Sequence, residues 1–114
     1  MPIEMEDRND TRVIALRGDV SIDDSLQFAR AMKDTVAGVC DTVVVVLATP
    51  MINSHCLGTV LATYNALRAT SKKIKVVCNE SSVLKSLTVF RILPRIEVYA
   101  TVQEAMADDQ PGTA

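Results

Sequence analysis

Thr42-Val43-Val44-Val45-Val46-Leu47, leading through Ala48 and Thr49 into Pro50-Met51-Ile52-Asn53-Ser54-His55-Cys56-Leu57-Gly58, is the stretch on which the fold of this chain turns. Its first six residues show no polar alternation and are dominated by β-branched side chains, whose stiff χ1 suits a strand. A strand with no polar face is covered on both sides, which places it at the centre of a sheet. Beyond the small polar loop, Leu57, Val60, Leu61, Tyr64 and Leu67 recur at three- and four-residue steps and predict a helix to about Ser71. A polar loop between a central strand and a helix start is the natural place for function, so Asn53 to Gly58 is the candidate site.

Upstream, Ile3 to Asp7 reads as a short strand, Arg8-Asn9-Asp10 as a turn, and Thr11-Arg12-Val13-Ile14-Ala15-Leu16-Arg17 as an alternating strand. Together they predict an antiparallel hairpin at the sheet edge. Gly18 breaks the run, and Ser21-Ile22-Asp23-Asp24 has the form of a capping box in which Ser21 accepts from exposed amides. A helix from about Asp23 to Val36 follows, with Phe28, Ala29, Met32 and Val36 on one side and Gln27, Arg30, Lys33 and Asp34 outside that stripe.

Downstream, Ile74-Lys75-Val76-Val77-Cys78 forms another strand, far enough from the central one for a right-handed helical crossover. Ser81 or Ser82 starts a third helix, with Val83, Leu87 and Phe90 on one face and an interruption at Pro94. Ile96-Glu97-Val98-Tyr99 is the last strand, and Thr101-Val102-Gln103-Glu104 caps a short closing helix. This order makes an α/β chain, a mixed sheet with helices packed against it. Residues 1–107 are assigned to one domain and 108–114, poor in apolar surface, to a disordered tail.

With 114 residues and a formal charge of −2, the chain has room for one modest core and no general drive toward nucleic acid. Arg68, Lys72, Lys73 and Lys75 form either a local basic rim or an ordinary solvated surface. The longest apolar run, Val43 to Ala48, is far short of the roughly 20 residues of a membrane span, so no direct membrane insertion is expected. The acidic start, Met1 to Asp7, lacks the basic flank and apolar centre of a secretory signal, which leaves the cytoplasm as the expected location. Cys40, Cys56 and Cys78 show no close paired spacing and are expected as reduced, mostly buried thiols. His55 is the sole histidine, so a multi-histidine metal site is excluded, and no phosphate-binding glycine loop occurs. Neither a metal nor a cofactor is expected.

From about Ile3 to Ala107 the chain resembles the STAS domain of the bacterial anti-sigma factor antagonist family. Members show glycine, an acidic residue, an aliphatic residue and aspartate after the second strand, and here that stretch is Gly18-Asp19-Val20-Ser21, without the final aspartate. They then show Asp-Ser-Ser-Gly-Leu-Gly, matched in position by Asn53-Ser54-His55-Cys56-Leu57-Gly58 with Ser54, Leu57 and Gly58 identical. Leu87-Thr88 and Ile96 to Ala105 resemble the family's last helix, strand and helix.

The resemblance implies a non-enzymatic, protein-binding regulator whose partner is a serine kinase that often doubles as an anti-sigma factor. It also implies a phosphorylated serine at the position held here by His55. A helix start still favours an anion there. The departures at Ser21, Asn53 and His55 remove oxygen-bearing groups associated with kinase engagement, so the usual serine switch is expected to be absent.

Several roles stay open for the loop. Asn53, Ser54, His55, Cys56, Leu57 and Gly58, with Met51 beside them, contact a partner without regulation at the usual position. Alternatively, phosphorylation moves to Ser54, whose competing role is that of a helix cap. His55 can also act as a proton or phosphoryl acceptor, or the loop can be purely structural. The rival of a different class is an enzyme using Ser54 or Cys56, although sequence neighbours alone make no nucleophile–base relay. At the level of assembly, the chain can instead be a STAS subunit of a transporter or larger signalling complex. A homo-oligomer is open as well, because the edge hairpin offers unpaired backbone groups.

Overall fold

A computed structural model describes residues 3–107, which form a five-stranded mixed sheet and four helices. β1 (Ile3–Arg8) and β2 (Thr11–Arg17) make the expected hairpin, paired from Ile3 opposite Leu16 to Arg8 opposite Thr11. Asn9 takes a φ of 55° in the two-residue turn, a left-handed conformation that asparagine tolerates better than most residues. β3 (Thr42–Ala48), β4 (Lys73–Val77) and β5 (Glu97–Tyr99) add in parallel, so the spatial order of the strands follows the chain. The tail expected over 108–114 lies outside the described residues.

Successive side chains of β3 point to opposite faces, and both faces are covered. Val43, Val45 and Leu47 pack with Ile14, Leu16 and Val76 in a core closed by α1 (Ile22–Ala37), α2 (Ser54–Arg68) and α3 (Ser81–Val89). On the other face Val44 and Val46 pack with Val13, Ala15 and Val77 beneath α4 (Val102–Ala107), which contributes Ala105, Val102 and Met106. The unalternated valine run needs these two layers. α1 starts at the predicted box: the Asp24 amide donates to Ser21 Oγ at 3.1 Å and the Ser21 amide donates to the Asp24 carboxylate at 2.9 Å. Hydrogen bonding from Ser21, its backbone amide first and its side chain second, holds the Asp24 carboxyl below its ordinary range. Phe28 and Met32 are buried as expected, with Ala29 and Val36 at the half-buried margin.

Some local expectations change. α2 begins at Ser54 and ends at Arg68, short of Ser71, because the chain turns there: Ser71 has a φ of 61° and the Lys72 amide closes onto the Leu67 carbonyl at 3.2 Å. Phe90 does not join Val83 and Leu87 in the core. α3 stops at Val89, Arg91 turns through a φ of 60°, and fully buried Ile92 fills the space while Phe90 is 43% exposed.

The basic rim does not form as a unit either. Lys75 is only 2% exposed, and its Nζ donates to the Ala105 carbonyl at 2.8 Å and lies 5.6 Å from the Tyr99 ring centre. Lys72 donates to the Gly38 carbonyl at 2.7 Å and closes the end of α1, a favourable place for a cation. The hairpin is a poor edge for oligomerisation. Glu4, Glu6 and Arg8 lie on β1 and enter ion pairs, and charge along an edge strand opposes strand addition.

Candidate functional site

At the carboxyl ends of β2 and β3 the chain leaves the sheet through neighbouring loops. The Gly18 amide donates to the Ala48 carbonyl at 3.0 Å, which ties the two loops together, and Gly18 supplies the φ of 71° that the turn requires. Between them lies a groove of about 290 Å³, lined by Asp19, Val20, Pro50, Met51, Ile52 and Asn53. α3 braces it, since Ser82 Oγ donates to the Pro50 carbonyl at 2.7 Å. A crevice outside the carboxyl ends of parallel strands is a common ligand position in open α/β sheets.

Asn53 organises this region. Its Oδ1 accepts from the Cys56 amide at 2.8 Å, capping α2, and its Nδ2 donates to Ser25 Oγ at 2.7 Å. Ser25 is fully buried on α1; its hydroxyl donates to the Ser21 carbonyl at 3.1 Å and lies 3.3 Å from Cys56 Sγ. One polar network therefore joins the starts of α1 and α2 and fixes the loop from within. Ser25 was missed in the sequence because it lies 28 positions from Asn53 and reads as an ordinary polar helical residue. The one available signal was its place on the same side of the helix as Phe28 and Met32.

The helix start sorts the candidate residues by direction. Ser54, His55 and Gly58 face solvent, and Met51 is 77% exposed. Cys56 and Leu57, expected among the partner contacts, are instead buried, Cys56 fully and Leu57 to 2% exposure, and both belong to the core beneath the loop. Ser54 is not the cap. Asn53 takes that role, and Ser54 occupies the first helical position with its side chain outside every hydrogen bond formed among the described residues.

This geometry is unfavourable to catalysis through Ser54 or Cys56. Burial pushes the Cys56 thiol up, with the Ser25 hydrogen bond opposing the shift, so the nucleophilic thiolate is disfavoured. Ser54 and His55 share no side-chain hydrogen bond of the kind a relay needs. Among the described residues no histidine, cysteine and carboxylate cluster could hold a metal ion, and no helix is long and apolar enough to cross a membrane.

No protein-family model matches the chain, and no curated protein sequence does. Solved structures match it over nearly its whole length. An anti-sigma factor antagonist from Mycobacterium paratuberculosis superposes with a TM-score of 0.84 at 20% identity, covering 93% of this chain and 91% of that one. The anti-sigma factor antagonist SpoIIAA in its unphosphorylated form gives a TM-score of 0.72 at 19% identity, covering 93% and 94%. The phosphorylated form of SpoIIAA, a Bacillus cell fate determinant, gives 0.75 at 19% identity, covering 95% and 99%. The chain has the STAS fold of these anti-sigma factor antagonists.

Proposed function

We propose that this chain is a non-enzymatic regulatory module of the anti-sigma factor antagonist type, acting in the cytoplasm. Met51, Asn53, Ser54, His55 and the outward side of α2 from Gly58 bind a serine kinase or anti-sigma-type partner. The observation that carries this reading is the outward display of Met51, Ser54 and His55 by a loop held from inside through Asn53. A loop already fixed loses little conformational freedom when a partner docks. Met51 provides the apolar anchor and His55 a polar contact beside it, while Cys56 and Leu57 act from below by setting the loop. Histidine in place of the resembled serine removes the usual phosphoryl acceptor, so binding is not switched at that position.

Calorimetric titration against a purified serine kinase of the anti-sigma type tests the interface. His55→Glu and Met51→Glu are each expected to weaken binding at least about tenfold, roughly 1.4 kcal/mol, by burying an unpaired charge. Their melting temperatures should match wild type. Undiminished affinity in both variants places the interface elsewhere, and binding to a transport ATPase in place of the kinase assigns the chain to a transporter assembly.

A second reading has its own support in the unengaged, exposed Ser54 hydroxyl at the first position of α2. A phosphate there adds a charge of about −1.5 to −2 at pH 7 and lies beside free helix amides, where it can expel an acidic or apolar partner. Peptide mass spectrometry after incubation with kinase and ATP is expected to place a phosphoryl group on Ser54. An unmodified Ser54 in a reaction where the kinase phosphorylates another substrate ends this reading.

A further inference from the structure

The outward sides of α1 and α2 form one surface; the partner reading uses its α2 part, so a contact made through the whole face competes with that partner. Solvent-facing helix surfaces normally carry charge. On α2 the exposed positions His55, Gly58, Ala62, Asn65 and Ala66 carry no formal charge, and the helix's one arginine, Arg68, lies 5.5 Å from the ring centre of Tyr64. Between the helices runs an apolar groove of about 440 Å³, whose walls include Ala29 and Met32 on one side and Ala62, Thr63 and Ala66 on the other. Gly58 is not required by the chain's own packing: a Cβ there would meet nothing within 4 Å, although glycine weakens a helix.

Charge decides what covers this face. Arg30 and Asp34 lie one turn apart on the exposed side of α1; neither side chain forms a hydrogen bond or salt bridge among the described residues, and Asp34 lies near enough to Arg12 to attract its guanidinium. We propose that the α1–α2 face pairs with the same face of a second copy, the helices running antiparallel about a two-fold axis level with Met32 and Ala62. About that axis each Arg30 stands opposite the partner copy's Asp34, so the ion pair forms twice. On α2 the same operation sets Gly58 opposite Ala66 and Ala62 opposite Ala62, which brings small side chains together where the helices approach most closely. Met32 and Ala62 line one groove, so one axis serves both helix pairs. The antiparallel arrangement also aligns the helix dipoles favourably, and a self-complementary patch closes as a dimer.

The dimer is weak. Helices of 16 and 15 residues are about 24 and 22 Å long and about 10 Å across, so the face is on the order of 500 Å² per copy, under the roughly 800 Å² of a standard interface. Lys33, exposed beside the axis, approaches its own counterpart and opposes the pairing.

Sedimentation equilibrium on the full chain from about 5 µM to about 500 µM, the range such a contact implies, tests the arrangement. A monomer–dimer equilibrium is expected within that range. Arg30→Asp and Asp34→Arg should each weaken it at least about tenfold, the two together should restore it, and Lys33→Ala should tighten it. Gly58→Lys, which places charge at the closest approach, should leave a monomer. A wild-type monomer at the highest concentration overturns the proposal, as does a dimer indifferent to both Arg30→Asp and Gly58→Lys. A monomer that still binds the kinase overturns this inference alone and leaves the partner-loop reading standing.

Discussion

Replacing Asn53 by alanine removes two bonds at once: the cap from Oδ1 to the Cys56 amide at 2.8 Å and the donation from Nδ2 to buried Ser25 at 2.7 Å. A helix cap contributes about 1 kcal/mol and a second, part-buried hydrogen bond about 1 kcal/mol, so the expected loss is about 2 kcal/mol. Unfolding entropy is about 2.1 cal/mol/K per residue, and over 114 residues that loss lowers Tm by about 8 °C. Asn53→Asp provides the finer test. Its carboxylate keeps the cap and adds a favourable charge at the helix start, but it cannot donate to Ser25, so it should lose less than half of what alanine loses. Thermal unfolding by circular dichroism at neutral pH measures both. An alanine variant within about 2 °C of wild type, or an aspartate variant less stable than alanine, would refute the view that this network fixes the loop. The pre-fixed binding surface built on it would then fail as well.

Lys75→Ala removes the buried donor to the Ala105 carbonyl and leaves a cavity under α4, at an expected cost of about 2–3 kcal/mol by urea unfolding; α4 amides should exchange faster than those of α2, and equal exchange would count against this docking role. Iodoacetamide should alkylate half-buried Cys40 first. Burial pushes the Cys56 and Cys78 thiols up, so equally fast labelling of Cys56 on peptide mapping would contradict its place in the core. Glu6 and Asp7 are held below the ordinary carboxylate range by hydrogen bonds from Arg8 and Arg12, and Asp24 by those with Ser21. A lowered folded-state pKa contributes stability above the unfolded pKa that disappears as pH falls through the folded value. Melting temperature should therefore drop below about pH 4, and Asp24→Asn should flatten that slope.

The order of elements was legible because its signals are local. Four valines in succession need cover on both faces wherever the strand lies, and Ser21 with Asp24 can close a capping box without help from distant chain. Failures occurred where spacing alone stood in for geometry. Phe90 has the right interval from Val83 and Leu87, but the helix ends one residue before it and Ile92 takes the core position. Lys75 has a charge that suits a rim, yet it points beneath α4, where Ala105 accepts its proton and Tyr99 presents a ring.

The candidate loop divides in the same way. Its place between a central strand and a helix start follows from the sequence by itself, since β-branching and helical periodicity act over neighbouring residues. Which of its side chains face outward was decided only by tertiary structure. Asn53, capping α2 and reaching Ser25 on α1, sets the rotation of the first turn, and that rotation sends Cys56 and Leu57 inward and Ser54 and His55 outward. Burial depends on what another segment places alongside, and that neighbour is set by the fold as a whole.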